Sequence, residues 1–207
     1  QFKLGVLHAN GDGVAQDWTE AARWQKLAAK QGRVEAQFNL ALMYDNGNGV
    51  KRNFAQAARY YKLAAKQGFA HAQSNLALMY CTGQGVPEDH IEGARWYTLA
   101  AAQGYGNAQC NLGVMYENGD GVRQDDTEAV KWYRLSADQG LAMAQFNLGA
   151  MYDQGRGVVQ DLTKAARLLK LAADQGNADA ITTLPIIRHQ HLSPPLSLLP
   201  TRRRPRI

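Results

Sequence analysis

The 207 residues carry a formal net charge of +5, and all of it lies at the far end: residues 1–184 balance 18 basic against 18 acidic groups, while Arg188, Arg202, Arg203, Arg204 and Arg206 stand beyond them without an acid. A neutral body lacks a phosphate-tracking surface, which argues against nucleic acid as its partner. Two cysteines cannot make a disulfide framework, and no apolar run is long enough to cross a membrane.

The dipeptides Gln31-Gly32, Gln67-Gly68, Gln103-Gly104, Gln139-Gly140 and Gln175-Gly176 recur every 36 residues without insertion or deletion. Such a period marks one supersecondary unit stacked on copies of itself. A first repeat covers 1–32, with its opening helix beginning at Gln1. Complete repeats cover 33–68, 69–104, 105–140 and 141–176, and 177–184 starts a sixth. Residues 1–184 therefore read as one elongated all-α domain with a continuous core. The chain begins at Gln1 without an initiator Met, as a processed or truncated start would.

In chain order, the first unit's second helix starts at Asp17 and is predicted to bury Trp24, Leu27 and Ala28. The next repeat opens with a helix carrying Ala36, Leu40, Met43 and Tyr44, an i, i+4, i+7, i+8 stripe that stops at Gly47. Its second helix starts at Asn53 and buries Tyr60, Leu63 and Ala64. The pattern returns as Ala72, Leu76, Met79, Tyr80 and Gly83, then Asp89 with Trp96, Leu99 and Ala100. It returns again as Ala108, Leu112, Met115, Tyr116 and Gly119, then Asp125 with Trp132, Leu135 and Ser136. Ala144, Leu148, Met151, Tyr152 and Gly155 lead to Asp161, and Leu168 replaces the aromatic. The short polar residues that start each second helix are N-caps. Glu20, Gln56, Glu92 and Glu128, three residues on, predict the reciprocal half of a capping box, which Lys164 breaks.

After Leu184 the register is expected to fail at Pro185, leaving residues 185–207 as a flexible Pro/Arg-rich tail. Phe2, Leu4 and Leu7 at the front and Ile181 and Leu184 at the back should expose surface that inner repeats bury. This implies further repeats in the natural protein or end-to-end self-association. Cys81 and Cys110 fall about 10 Å apart along adjacent helices, too far to bridge, so two free thiols are expected.

Chemistry is sparse. The repeated Gly-x-Gly lacks the preceding strand, third glycine or Lys-Ser/Thr of a phosphate loop and reads as a helix terminator. Neither the five histidines nor the four serines form a metal set or a nucleophile with a partner. No catalytic residue, metal or cofactor is assigned.

The string Ala-Gln-x-Asn-Leu-(Ala/Gly)-x-Met-Tyr-x-x-Gly-x-Gly-Val, followed by Ala-x-x-(Trp/Tyr)-x-x-Leu-Ala-Ala-x-Gln-Gly, resembles the Sel1-like repeat, a relative of the tetratricopeptide repeat. The resemblance covers residues 1 to about 184. It implies a right-handed α-solenoid of helix-turn-helix repeats that acts as a non-enzymatic scaffold or adaptor, with the first helices lining a concave groove that holds an extended peptide or protein segment. Alternatives are a structural spacer within a larger repeat protein, or the β-lactam binding or weak hydrolysis linked to cysteine-rich relatives, whose paired cysteines are missing here. A bacterial envelope or periplasm and a cytoplasm are equally allowed.

Transferred geometry turns Asn39, Asn75, Asn111 and Asn147 into the groove. Asn costs roughly 0.5 kcal/mol or more against Ala inside a helix, so four at one helical position imply an offsetting hydrogen bond. The partner is either a bound peptide, as in related tetratricopeptide domains, or a neighbouring helix. Phe38, Leu42, Asp45, Leu78, Val114, Glu117, Met143, Phe146 and Asp153 are expected on the same face, where the repeats differ from one another. Their charges are acidic, so a basic residue in the bound segment is expected near Asp45, Glu117 or Asp153.

Overall fold

Short polar side chains start every second helix of the array, and glycine ends every complete first one. The computed structural model describes residues 1–192, in the order α1 (Phe2–Asn10), α2 (Trp18–Lys30), α3 (Val34–Asn46), α4 (Phe54–Lys66), α5 (Ala70–Thr82), α6 (His90–Ala102), α7 (Gly106–Asn118), α8 (Asp126–Asp138), α9 (Ala142–Gln154), α10 (Leu162–Asp174) and α11 (Ala178–Leu192). Among the described residues there is no strand. Each helix packs on the next, giving a solenoid of helix-turn-helix units.

Asp17, Asn53, Asp89, Asp125 and Asp161 each accept the backbone N–H three residues on, at 2.9–3.0 Å. The reciprocal half of the expected capping box does not form. Each cap's own N–H instead donates to the first helix of its repeat, at His8, Tyr44, Tyr80, Tyr116 and Tyr152. Glu20, Glu92 and Glu128 are thereby released to pair with Arg23, Arg95 and Lys131 one turn on, exposed contacts worth a few tenths of a kcal/mol.

The two glycines of each turn differ in their work. Gly119, at φ 81°, donates to the Met115 carbonyl and closes α7. Gly121 allows a close approach: a Cβ there would lie 2.1 Å from the His90 carbonyl oxygen, so this turn sits directly on the start of the preceding repeat's second helix.

The recurring Gln-Gly is explained by a glutamine ladder. Gln67, Gln103, Gln139 and Gln175 donate to Gln37, Gln73, Gln109 and Gln145 at 2.7–2.8 Å. Those buried amides in turn donate to the carbonyls of Ala29, Ala65, Ala101 and Ala137 in the preceding repeat. A buried amide must be paired, and this arrangement ties each repeat to the one before it.

The core corrects the sequence reading in two places. Tyr60 of the predicted stripe is buried, but the most deeply buried rings are Tyr61, Tyr97 and Tyr133, each one residue beyond the aromatic predicted. Trp96 is half-buried and packs against two successive core clusters. Leu63, Leu99 and Leu135, expected in the core, are 40 %, 49 % and 48 % exposed. Each leucine lies two positions past a buried tyrosine, about 200° round the helix, and so faces outward.

Pro185 does not end the register, because α11 continues through it to Leu192. An interior proline forfeits one helical hydrogen bond and crowds the carbonyl four residues back, at about 3 kcal/mol. Burial of Ile187 and partial burial of Leu184 against the C-terminal cluster offset that cost. The expected flexible tail from residue 193 onward, with its arginines, lies outside the described residues. Leu4, Leu7 and Ile181 are exposed at the ends.

Candidate functional site

The asparagine column is directed first at the array's own tyrosines. The Asn111 Nδ2 donates to the Tyr97 hydroxyl at 3.0 Å, and Asn75 and Asn147 hold the corresponding positions one repeat on from Tyr61 and Tyr133. A buried phenol needs such partners. Burial raises all three hydroxyls above their ordinary pKa. On the donor side, Tyr61 gives its proton to Asp45 Oδ2 at 3.2 Å and Tyr133 to Glu117 Oε2 at 2.6 Å.

Two of the three predicted groove acids are therefore engaged. Glu117 also accepts from Arg156 at 2.8 Å, and the same guanidinium grips Asp126 through two further bonds. At Asp153 the matching tyrosine is Leu169, and no bond or ion pair involves the Asp153 carboxylate among the described residues.

Beside this polar seam runs a column of Phe2, Phe38, Ser74, Cys110 and Phe146. Where the rings give way to Ser74 and Cys110, a pocket of about 260 Å³ opens across α5, α7 and α9. Asn75, Asn111 and Tyr97 supply polar edges, and Leu78 and Met143, 52 % and 53 % exposed, rim it. Its volume lies below the roughly 300–1,000 Å³ of sites for drug-sized ligands, which suits a single side chain. An aromatic ledge adjoins it, with Phe38 and Phe69 centroids 5.0 Å apart and His71 and Tyr105 4.6 Å apart.

Both cysteines are free thiols. Burial pushes Cys110 up to about 11, and burial with the charges of Asp120 and Glu88 pushes Cys81 to about 11, so neither is a thiolate near neutrality. No helix among the described residues is long and apolar enough to cross a membrane.

Of the residues anticipated on this face, Asn75, Leu78, Asn111 and Met143 converge on the central pocket. Asn39 and Leu42 line a second one between α1 and α3. Phe38 belongs to the aromatic ledge. Asp45, Val114, Glu117, Phe146, Asn147 and Asp153 line neither pocket, and Val114 and Phe146 pack partly buried against the C-terminal core. The tyrosine column and the buried glutamines escaped sequence reasoning. Their signal was the same 36-residue recurrence, overlooked because a stripe one residue away carries the larger tryptophans.

The Sel1 repeat family profile matches residues 1–32, 34–69, 70–105, 106–141 and 142–177. Among solved structures, a protective antigen of uropathogenic Escherichia coli with an SLR fold is 40% identical over 93% of this chain, with a TM-score of 0.88. This chain spans only 41% of that protein's length. A Sel1 repeat protein from Oxalobacter formigenes is 32% identical, with 92% of this chain and 76% of that one covered and a TM-score of 0.85. Helicobacter pylori cysteine rich protein B, at 24% identity, 65% and 97% coverage and a TM-score of 0.52, is alike in fold alone. A comparison with curated proteins finds no match. With five consecutive repeats matched and the solenoid seen in its relatives, the chain belongs to the Sel1 repeat family, whose members generally mediate protein–protein interactions.

Proposed function

We propose that this protein is a non-enzymatic adaptor that holds an extended protein segment along the face of its first helices, with an apolar side chain of that segment seated in the central pocket. The observation that carries this reading is the break in the phenylalanine column at Ser74 and Cys110, which leaves a side-chain-sized recess rimmed by the exposed Leu78 and Met143. Both rim residues are already half covered, so burying the rest contributes roughly 0.7–1.5 kcal/mol each, and the anchor in the recess has to supply most of the about 8 kcal/mol of micromolar binding. The Asn111 amide, already paired with Tyr97, orients the segment rather than holds it. A basic residue in the segment has one unengaged carboxylate to meet, Asp153.

Ser74→Phe supplies the ring that Phe38 provides in the preceding repeat and should close the pocket. A peptide-library screen of the whole chain beside this variant, with thermal melts of both, tests the reading. Hits lost at an unchanged melting temperature support it, and hits that bind the variant equally well overturn it.

A further inference from the structure

The first repeat departs from the tyrosine seam in a way that leaves two amides without partners. In the repeats holding Tyr61 and Tyr133 the phenol donates to a carboxylate of its own repeat, and the phenol of Tyr97 accepts from Asn111 of the next. The corresponding residues are Gln25 of the first repeat for the phenol, Asn39 of the next for its donor and Ala9 of the first for its acceptor. Gln25 is 2 % exposed and its Oε1 has no hydrogen-bond partner, and no bond to the Asn39 side chain is formed among the described residues. Both line a pocket of about 260 Å³ between α1 and α3, with Ala9, Leu42 and Trp18 as its apolar walls.

We propose that this pocket binds a phenol ring, presented as a tyrosine side chain by the bound segment, which takes the place that the array's own tyrosine fills in later repeats. The hydroxyl would accept from the Asn39 amide and donate to the Gln25 Oε1, the buried acceptor left without a partner. No ionisable group lines the pocket, so a neutral hydroxyl matches it and a carboxylate or ammonium does not. The tyrosine's source rests on the groove reading above; the pocket's chemistry does not.

The test is a titration of the whole chain with 4-methylphenol, the tyrosine side-chain analogue, beside toluene, read by NMR at the side-chain amides of Asn39, Gln25 and Asn111. Saturable shifts at Asn39 and Gln25 are expected with dissociation roughly in the millimolar range, as suits eight heavy atoms, and toluene should bind at least about fivefold more weakly. Gln25→Tyr, which supplies the missing ring, should abolish those shifts and raise the melting temperature. Should that variant fail to fold, Leu42→Trp fills the pocket from α3 and should abolish them too. Shifts that are absent, that centre on Asn111, that toluene reproduces, or that survive both substitutions overturn the proposal. If 4-methylphenol binds here while the peptide screen yields nothing, the groove reading fails and this site stands. If peptides bind with no preference for tyrosine over phenylalanine and 4-methylphenol is silent, this site fails alone.

Discussion

A hydroxyl's value here depends on the charge of what it meets. Tyr133 donates to Glu117, an ionised acceptor, whereas Tyr97 has Cys81 where its neighbours have a carboxylate and is bonded by the neutral Asn111 amide. Hydrogen bonds to charged groups are worth about 1.5–3 kcal/mol and neutral ones about 0.5–1.5. Tyr133→Phe should therefore cost about 2 kcal/mol and Tyr97→Phe about 1, measured by urea unfolding. Equal losses would show that the carboxylate adds nothing. At this scale the asparagine column was legible in the sequence, since four unfavourable residues at one helical position demanded a partner. Its identity was not legible, because the tyrosine lies 14 residues earlier on another helix and only packing brings them together.

The helix and its turns fix how far a substitution spreads. Gly104 and Gly121 both have positive φ, at 85° and 69°, yet a Cβ on Gly104 meets nothing within 4 Å while one on Gly121 would strike the His90 carbonyl. Gly104→Ala should cost about 1–2 kcal/mol, the left-handed penalty alone. Gly121→Ala adds displacement of one repeat's turn from its neighbour and should cost at least about 3 kcal/mol. Thermal melts of the two variants distinguish them, and comparable losses would contradict the close contact. The outward leucines give a second contrast: Leu99→Ser should change stability by less than about 1 kcal/mol, whereas Tyr97→Ala should cost about 3–5. The starts of the second helices and the stops of the first ones could be read from the caps and glycines. Which of two adjacent residues faced inward could not, because a stripe at helical spacing fits Trp96 and Tyr97 almost equally until the neighbouring helix is present.

For the whole array, the buried tyrosines set a limit on alkaline stability. Burial raises the hydroxyls of Tyr61, Tyr97 and Tyr133 above the ordinary value of 10.0, so above pH 10 the unfolded chain sheds protons that the native one keeps. Stability, complete below that value, should fall as the pH rises past it. The melting temperature is expected to drop steadily from about pH 10, with three of the nine tyrosines ionising only as the array unfolds. Ionisation of all nine in a fully folded array would refute the burial of these rings. Because each repeat touches only its neighbours, the loss should begin where the seam is broken, and Gln25→Tyr in the first repeat should raise the melting temperature.

The sequence alone determined the period, the two helices of each repeat, their polar starts and glycine stops, and the family, because all of these rest on contacts within about one repeat and on residues that recur in register. Tertiary structure decided what recurrence cannot encode. Between repeats, it paired Gln37 with the Ala29 carbonyl and Asn111 with Tyr97. It withdrew Asp45 and Glu117 from the open face into hydroxyl bonds, and carried α11 past Pro185 because Ile187 finds a core to enter. It also opened pockets where the pattern lapses, at Ser74 and Cys110 and at Gln25. A pocket is the space left when neighbouring helices cannot close over a smaller side chain, and that space exists only once the helices have been brought together.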